Sequence, residues 1–245
     1  MTLSSDIKSK IIKKGSATIL YDPRLVNDPC LSLFDPGWLA RESRLVGDAV
    51  GRGTAWFFQD QGLDLVLRHF RRGGWVGRLV DDLYLGVSAE NSRMFREWRL
   101  LAELTSRGLP VPQPVAAAFF PRGCCYRGDL VTMRIPESLT LSDRLQQDSL
   151  DRAGWQQIGA TLKSFHVHGV YHADMNARNI LIDKKGVVFL IDFDRGALRR
   201  PGAWQEATLQ RLLRSLRKFS KNVSGFSFDS DDWNALLVGY AGENG

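Results

Sequence analysis

The sequence predicts an α+β fold of two lobes: a small N-terminal antiparallel sheet with one helix, and a short, mainly helical C-terminal lobe. β-branched and aromatic segments separated by glycine-bearing turns dominate the first part of the chain. Among them, residues 91–107 have apolar side chains near helical spacing and end at Gly108. After residue 135 most segments have helical spacing, interrupted by one hairpin. We therefore assign an N-terminal lobe to residues 1–135 and a C-terminal lobe to residues 136–245.

In the N-terminal lobe, the segment up to Glu42 is predicted to be rich in turns, because Asp-Pro pairs interrupt it three times. Residues 46–70 predict three strands, with Thr54–Phe58 β-branched and aromatic and Leu63–Phe70 alternating in polarity. Residues 115–120 and 130–135 are predicted to form a further strand pair. Together these segments predict a small sheet accompanied by the single helix at 91–107.

In the C-terminal lobe, residues 139–168 are predicted to be mostly helical, since Ile158, Leu162 and Phe165 share one face. Residues 180–182 and 187–191 predict two strands joined by the turn sequence Asp-Lys-Lys-Gly. Helical patterns follow at 203–219 and around 233–240.

Composition limits the classes of protein that the chain represents. The 245 residues suffice for two small lobes, and the 44% hydrophobic and 24% charged content is ordinary for a soluble globular protein. No apolar run approaches the roughly 20 residues of a membrane-spanning helix, and the lysine-bearing N-terminus lacks the apolar core of a secretory signal. We expect a protein of the cytoplasm or of its membrane face, with reduced cysteines. The net charge of +6 favours an anionic partner: phosphate, nucleic acid or acidic lipid.

Three oxygen-bearing side chains flank the predicted hairpin. Asp174 and Asn179 lie in the loop before it, and Asp192 follows its second strand, so the hairpin returns Asp192 toward Asn179. Hard oxygen ligands suit Mg²⁺ that shares its shell with substrate phosphates, which makes Asn179 and Asp192 candidate ligands. Asp174 is the candidate group that orients an attacking hydroxyl and accepts its proton. Turn capping would explain such residues singly, but it does not require their joint spacing.

The N-terminal lobe is expected to bind nucleotide phosphates. Gly51 and Gly53, between two predicted strands, would let backbone N–H groups approach phosphates, although an ordinary hairpin explains them equally well. Arg68 lies on a predicted strand and Glu97 on the following helix, and the resemblance to kinases described next implies an ion pair between them. Glu90 and Glu103 are competing candidates for the ion-pair partner of Arg68. Alternatively, Glu97 lies on a solvated face of its helix.

The ordered set His-x-Asp-x-x-x-x-Asn and Asp-Phe-x resembles the protein-kinase-like superfamily, which implies a bilobal protein-kinase-like fold. In that resemblance His172 packs and hydrogen-bonds to hold the loop. The sequence departs from protein kinases in several places: Arg68 replaces the strand lysine, Asn176 a lysine, and Asp194 the glycine of the metal motif. The chain also has no Ala-Pro-Glu signature and no room for a long activation segment. These departures favour a small-molecule, lipid or sugar acceptor.

Three blocks resemble a narrower family, the bacterial lipopolysaccharide kinases that phosphorylate 3-deoxy-D-manno-octulosonic acid (Kdo), over residues 30–220. They are Arg-His-Phe-Arg-Arg-Gly-Gly from Arg68, the loop from His172, and Asp-Phe-Asp-Arg-Gly from Asp192. The resemblance implies ATP- and Mg²⁺-dependent phosphorylation of Kdo-lipid A, at the 4-hydroxyl of Kdo. It also implies peripheral attachment to the cytoplasmic face of the inner membrane.

The resemblance also implies a role for each site residue. Asp174 would be catalytic, and Asn179 and Asp192 would hold Mg²⁺. The nucleotide would be bound by Gly51, Gly53, Arg68, Glu97, Asn179 and Asp192. Arg71, Arg72 and Arg78 would contact the acidic sugar or its phosphates.

A basic region follows the metal motif. Residues 195–221 hold eight Lys and Arg against one acid, Glu206, around an apolar stripe formed by Leu209, Leu212, Leu213, Leu216 and Phe219. A basic amphipathic helix suits an anionic membrane surface. The alternative is a packed core helix with a solvated basic back.

Two other functions remain open from the sequence. One is a different small-molecule kinase, such as a heptose or aminoglycoside kinase. The other is a non-catalytic kinase-like module that binds membrane or RNA, which the absent strand lysine favours and the intact Asp174, Asn179 and Asp192 disfavour. We expect no nucleic-acid partner, because Trp75, Trp98 and Trp155 are scattered rather than interleaved with the basic residues.

Overall fold

The computed structural model describes residues 7–48, 55–70, 84–85 and 88–242. The chain divides into two compact units: residues 1–107 with 112–134, and residues 108–111 with 135–245. A large antiparallel sheet and six helices among the described residues confirm the predicted α+β class and fit a kinase-like fold. The assignment of a nucleotide-binding role to one lobe and a catalytic role to the other stays a prediction.

The first unit is built on an eight-stranded antiparallel sheet of order β1-β2-β7-β8-β5-β4-β3, with β6 also paired to β8. Its strands are β1 (Lys10–Lys14), β2 (Ala17–Tyr21), β3 (Leu45–Asp48), β4 (Ala55–Asp60), β5 (Leu63–His69), β6 (Tyr84–Leu85), β7 (Pro114–Arg122) and β8 (Cys125–Met133). Its helices are α1 (Pro36–Arg41) and α2 (Arg93–Ser106), with a 3₁₀ turn at Leu31–Phe34.

A hydrophobic core lies on one face of this sheet. Leu65 and Leu67 of β5 pack there with Val131 of β8, and Phe34 and Leu39 join the same buried cluster. The helix α2 packs on β7 and β8. Gly128 permits this close packing, because a Cβ at that position would lie 1.7 Å from the Met94 Cε atom.

The prediction of a turn-rich segment up to Glu42 was wrong for part of its length. The segment contains the hairpin β1–β2 and the helix α1, and β2 pairs with β7 through the registers Thr18↔Phe119 to Tyr21↔Ala116. A strand stabilised by a partner about a hundred residues away leaves little local signal. The break at Asp22 is real: its buried carboxylate accepts hydrogen bonds from the backbone and guanidinium of Arg24.

The second unit contains four helices and two small sheets. Its strands are β9 (Ser138–Thr140), β10 (Val170–Tyr171), β11 (Ile180–Asp183), β12 (Val188–Leu190) and β13 (Ala197–Leu198). Its helices are α3 (Leu141–Gln147), α4 (Arg152–Val167), α5 (Trp204–Asn222) and α6 (Ser230–Ala241), with a 3₁₀ turn at Ala177–Asn179. The sheets have the orders β12-β11-β9 and β10-β13.

The helices α4 and α6 approach each other closely in this unit. A Cβ added at Gly159 would lie 2.0 Å from the Leu236 carbonyl oxygen, and one at Gly239 would lie 2.0 Å from that of Gln156. The predicted helix 139–168 is divided into α3 and α4, because Asp151 caps α4 by accepting a hydrogen bond from the backbone of Gly154.

The burial of α5 decides between the two interpretations of the basic region. Its leucine stripe is part of the protein core, with exposed fractions of 0–7% at Leu209, Leu212, Leu213 and Leu216. The packed-helix alternative is therefore correct, and the leucines are not available to a membrane. The basic back of α5 is exposed, at Arg211, Arg214, Arg217, Lys218 and Lys221. No helix among the described residues is long and apolar enough to span a bilayer.

Candidate active site

The loop between β10 and β11 carries Asp174 on a hydrogen-bonded frame. The backbone carbonyl of Asp174 accepts hydrogen bonds from two side-chain amides, that of Asn176 at 3.0 Å and that of Asn179 at 2.8 Å. The Asn176 side chain also accepts a hydrogen bond from the backbone N–H of Arg178 at 2.9 Å. Asp174 itself is solvent-exposed. The loop is thus fixed through its backbone while Asp174 remains accessible to a substrate.

The hairpin brings Asp192 to Asn179, as the sequence predicted. Ile180 pairs with Leu190 across β11 and β12. One residue further out, the backbone N–H of Ile191 donates a hydrogen bond to the Asn179 carbonyl at 3.0 Å. Asp192 therefore follows directly on a residue bonded to Asn179, and the two candidate cation ligands are neighbours.

His172 links the loop of Asp174 to the segment of Asp192. Its ring is 2% exposed. Its Nε2 atom lies 2.9 Å from the Ile191 carbonyl oxygen, and its Nδ1 accepts a hydrogen bond from the backbone N–H of Asp174 at 3.2 Å. This pattern assigns the neutral tautomer with the proton on Nε2. Burial lowers the pKa of His172, against the raising effects of the Ile191 carbonyl and the nearby Asp192 and Asp174 carboxylates. The expected loop-holding role is confirmed.

The Asp192 segment has an unusual backbone. Asp192 has φ 62°, in the left-handed region that aspartate tolerates better than most residues but at a cost. The following Phe193 is buried and anchors the segment, stacking on Phe165 at 6.0 Å and packing on His172 at 4.8 Å between ring centroids. The core thus holds Asp192 in its strained conformation.

The donor set fits a magnesium ion shared with a substrate. The Asn179 amide nitrogen is engaged by Asp174, so the amide oxygen is the atom available to a cation, and Asp192 offers a carboxylate. Within the part of the chain that the structure describes, no three His, Cys, Asp or Glu side chains cluster as a metal site. Mg²⁺ is typically bound by one or two protein oxygens, and phosphates and water complete its coordination shell. One amide oxygen and one carboxylate oxygen match this pattern.

In the first unit, Arg68 of β5 forms an ion pair with Glu97 of α2. Glu97 is buried, and the Arg68 guanidinium lies 4.6 Å from the centroid of the Phe70 ring. The competing candidates are engaged elsewhere, since Glu90 pairs with Arg99 and Glu103 with Arg107 on the exposed side. The predicted pairing of Arg68 with Glu97 is confirmed, and its role in binding nucleotide stays a prediction.

Five of the predicted site residues lie outside the described residues, and their roles stay predictions. They are Gly51, Gly53, Arg71, Arg72 and Arg78.

The structure also places α5 against the loop that carries Asp174, which the sequence did not predict. The backbone N–H of Ala177 donates a hydrogen bond to the Ser215 hydroxyl at 3.2 Å. The Arg178 guanidinium lies 5.2 Å from the centroid of the Phe219 ring. Helical periodicity marks these residues only as flanks of an apolar stripe, and it does not show what they contact.

Comparison with known proteins shows similarity over most of the chain. Residues 37–240 match the model of the Lipopolysaccharide kinase (Kdo/WaaP) family. A 3-deoxy-D-manno-octulosonic acid kinase of Vibrio vulnificus is 39% identical, covering 92% of this chain and 95% of the relative. The kinase of that name from Photobacterium profundum is 38% identical over 91% and 94%. The one from Xylella fastidiosa is 42% identical over 82% and 80%.

Proposed function

We propose that this chain, which belongs to the lipopolysaccharide kinase (Kdo/WaaP) family, transfers the γ-phosphoryl group of ATP to the Kdo sugar of a lipid A precursor. The observation that carries the proposal is the frame around His172. It ties the backbone of Asp174 to that of Ile191, and Ile191 is bonded to Asn179, so one hydrogen-bonded frame holds an exposed carboxylate and the two candidate cation ligands. Relatives named for Kdo phosphorylation supply the acceptor class.

In the proposed reaction, Asp174 binds the acceptor hydroxyl and takes its proton as the hydroxyl oxygen attacks the γ-phosphorus of ATP. The bond from that phosphorus to the β–γ bridging oxygen breaks, and ADP leaves. Its exposure allows a bulky lipid-borne sugar to approach. The two amide hydrogen bonds to its carbonyl fix the loop before substrate binds, so little ordering is required at the moment of reaction. General-base assistance of this kind is worth about 10²–10⁴ in rate.

Asn179 and Asp192 would hold Mg²⁺, which when bound neutralises charge on the nucleotide phosphates. Arg68 would contact those phosphates, with Glu97 and the Phe70 ring fixing the direction of its guanidinium. A guanidinium offers two parallel N–H donors to phosphate, so an arginine serves as a phosphate ligand here although it differs from lysine in reach.

We also propose the 4-hydroxyl of Kdo as the acceptor and the cytoplasmic face of the inner membrane as the location. Supporting the location are the net charge of +6 and the exposed cations on the back of α5. Each basic residue near an anionic surface contributes about 1 kcal/mol of attraction. Binding of this kind is electrostatic and reversible, because the leucines of α5 are buried. Sedimentation with anionic and with neutral vesicles at two salt concentrations tests it.

The activity is tested by incubating the protein with Mg²⁺, γ-labelled ATP and detergent-dispersed Kdo-lipid A, with heptose-bearing core oligosaccharide as the competing acceptor. We expect label on the Kdo lipid only, and a phosphorus-coupled shift at the proton on C4 of Kdo. Transfer to heptose alone would replace Kdo kinase by heptose kinase. Nucleotide binding without transfer to either would show another acceptor, and failure to bind nucleotide would favour the non-catalytic module.

A further inference from the structure

The exposed face of α5 carries five cations, Arg211, Arg214, Arg217, Lys218 and Lys221. Elsewhere among the described residues, ion pairs form at Arg24–Asp22, Arg44–Asp60, Arg68–Glu97, Arg99–Glu90 and Arg107–Glu103. In α5 no such pair to a described carboxylate is formed by Arg211, Arg214, Arg217, Lys218 or Lys221. Like charges on one helix face repel one another. A row of like charges without described acidic partners raises the local positive potential, which favours an anionic ligand.

Part of that row lies beside the catalytic loop. At 3.6 residues per turn, Arg211, Ser215 and Lys218 occupy one narrow strip of the helix surface. The central member, Ser215, is the residue whose hydroxyl accepts the hydrogen bond from the backbone of Ala177, at 3.2 Å. Arg211 and Lys218 are therefore one turn before and one turn after that contact, about 6 Å and about 4.5 Å along the axis.

One charge effect and one contact indicate that cationic charge reaches this loop. The positive charge of Arg211 acts on His172, where it adds to the lowering of the pKa that burial dominates. On the other side, Arg178 of the loop itself lies over the Phe219 ring of α5, at 5.2 Å. Arg178 is thus a third exposed cation beside the strip, and Asp174 lies four residues before Arg178 in the same loop.

We propose that Arg211 and Lys218 bind the carboxylate of the acceptor sugar and so select an acidic sugar whose hydroxyl is held at Asp174 for phosphoryl transfer from ATP. The inference rests on the proposed function and deepens it. An octulosonic acid carries its carboxylate on the sugar ring, so a hydroxyl at Asp174 leaves the carboxylate only a few ångströms away, within reach of cations on the neighbouring helix. The planar guanidinium of Arg211 is suited to a bidentate carboxylate contact, and Lys218 adds a point charge.

The test is steady-state kinetics with detergent-dispersed Kdo-lipid A, so that vesicle binding plays no part. The variants are Arg211→Gln, Lys218→Gln and their combination. Arg152→Gln is the matched control, since it removes an exposed cation from another helix of the same unit. We expect the KM for the acceptor to rise about 10-fold or more for Arg211→Gln, the typical loss for a charged hydrogen bond, and less for Lys218→Gln. The KM for ATP should stay within about twofold of wild type for all variants, because the hydrogen bonds that are lost are made to the acceptor and not to the nucleotide.

The second arm uses acceptor analogues and vesicles. Replacing the sugar carboxylate by an amide should raise the acceptor KM of wild type and leave that of the combined Arg211→Gln and Lys218→Gln variant nearly unchanged. If the acceptor KM of Arg211→Gln equals that of Arg152→Gln, the inference is overturned. It is also overturned if Arg211→Gln has a defect only with vesicles, because that result would assign the residue to lipid headgroups. Failure of wild type to phosphorylate Kdo-lipid A would instead overturn the proposed function. Thermal melts identical to wild type establish that the variants are folded.

Discussion

The ion pair between Arg68 and Glu97 gives the sharpest test of the first unit. The Glu97 side chain is 2% exposed and that of Arg68 23%, so the substitution Glu97→Gln would leave a largely desolvated guanidinium without its carboxylate. Breaking a buried pair costs about 3–5 kcal/mol. Because Arg68 retains some contact with water, we expect a loss just below this range, about 2–3 kcal/mol in the free energy of unfolding.

The matched control is Glu103→Gln, on the same helix. Glu103 is 48% exposed and pairs with Arg107 on the surface, so its loss should cost about 0.5 kcal/mol or less. At about 2–4 °C per kcal/mol for a chain of this size, the melting temperature should fall by about 5–10 °C for Glu97→Gln and by about 1–2 °C for Glu103→Gln.

The assay combines urea denaturation, followed by tryptophan fluorescence, with steady-state kinetics. Only Glu97→Gln should raise the KM for ATP, because only that substitution releases the guanidinium assigned to phosphate. Equal destabilisation by the two substitutions would refute the burial argument. A large loss of stability with an unchanged KM for ATP would keep the pair as a structural element and remove Arg68 from the nucleotide site.

Three further predictions concern the second unit. Asp192→Asn should weaken Mg²⁺-ATP binding while keeping the fold, which calorimetry of binding measures. Asp192→Ala should in addition cost about 1 kcal/mol of stability in urea melts, because alanine tolerates φ 62° poorly. Burial lowers the pKa of His166 to about 4 and that of His172 below its ordinary 6.5. The unfolded chain therefore binds protons that the native state does not. Below pH 6.5 the free energy of unfolding should fall with a slope that approaches about 1.4 kcal/mol per pH unit for His166, and His172 should add a loss in the same direction. Urea melts at pH 7, 6 and 5 measure this fall. Gly159→Ala should destabilise by several kcal/mol, because its Cβ would lie 2.0 Å from a backbone oxygen of α6; Gly202→Ala, with 3.7 Å of room, is the control.

Each of these predictions has a contradicting result. Equal stability of Asp192→Asn and Asp192→Ala would argue against backbone strain at that residue. A stability independent of pH between 7 and 5 would show that the buried histidines take up protons in the folded state. A Gly159→Ala protein as stable as Gly202→Ala would contradict the close packing of α4 on α6.

The parts of the structure that the sequence predicted are those with local signals. The hairpin β11–β12 follows from strand residues around an Asp-Lys-Lys-Gly turn, and Asp183 closes that turn by accepting hydrogen bonds from the Lys185 and Val187 backbones. The proximity of Asn179 and Asp192 to each other follows in turn from the hairpin. Glu97 was identified because its place on α2 relative to β5 is set by the family resemblance.

The parts that it did not predict depend on distant partners. β1 and β2 are strands because β7 pairs with β2, and β9 precedes α3 because it pairs with β11. The leucine stripe of α5 has the same periodicity whether it faces a core or a membrane, so only the fold distinguishes the two. For the same reason the contact of Ser215 with Ala177 was not visible in the sequence.

The most direct test of the account is phosphoryl transfer by Asp174→Asn compared with wild type, with Mg²⁺-ATP binding measured on the same samples. Wild type should phosphorylate Kdo-lipid A. Asp174→Asn should lose at least about 10²-fold in kcat. Its affinity for Mg²⁺-ATP should stay near that of wild type, because the hydrogen bonds that Asp174 makes within the loop involve its backbone and not its carboxylate. An Asp174→Asn protein that turns over at the wild-type rate would contradict the assignment of Asp174 and the mechanism built on it.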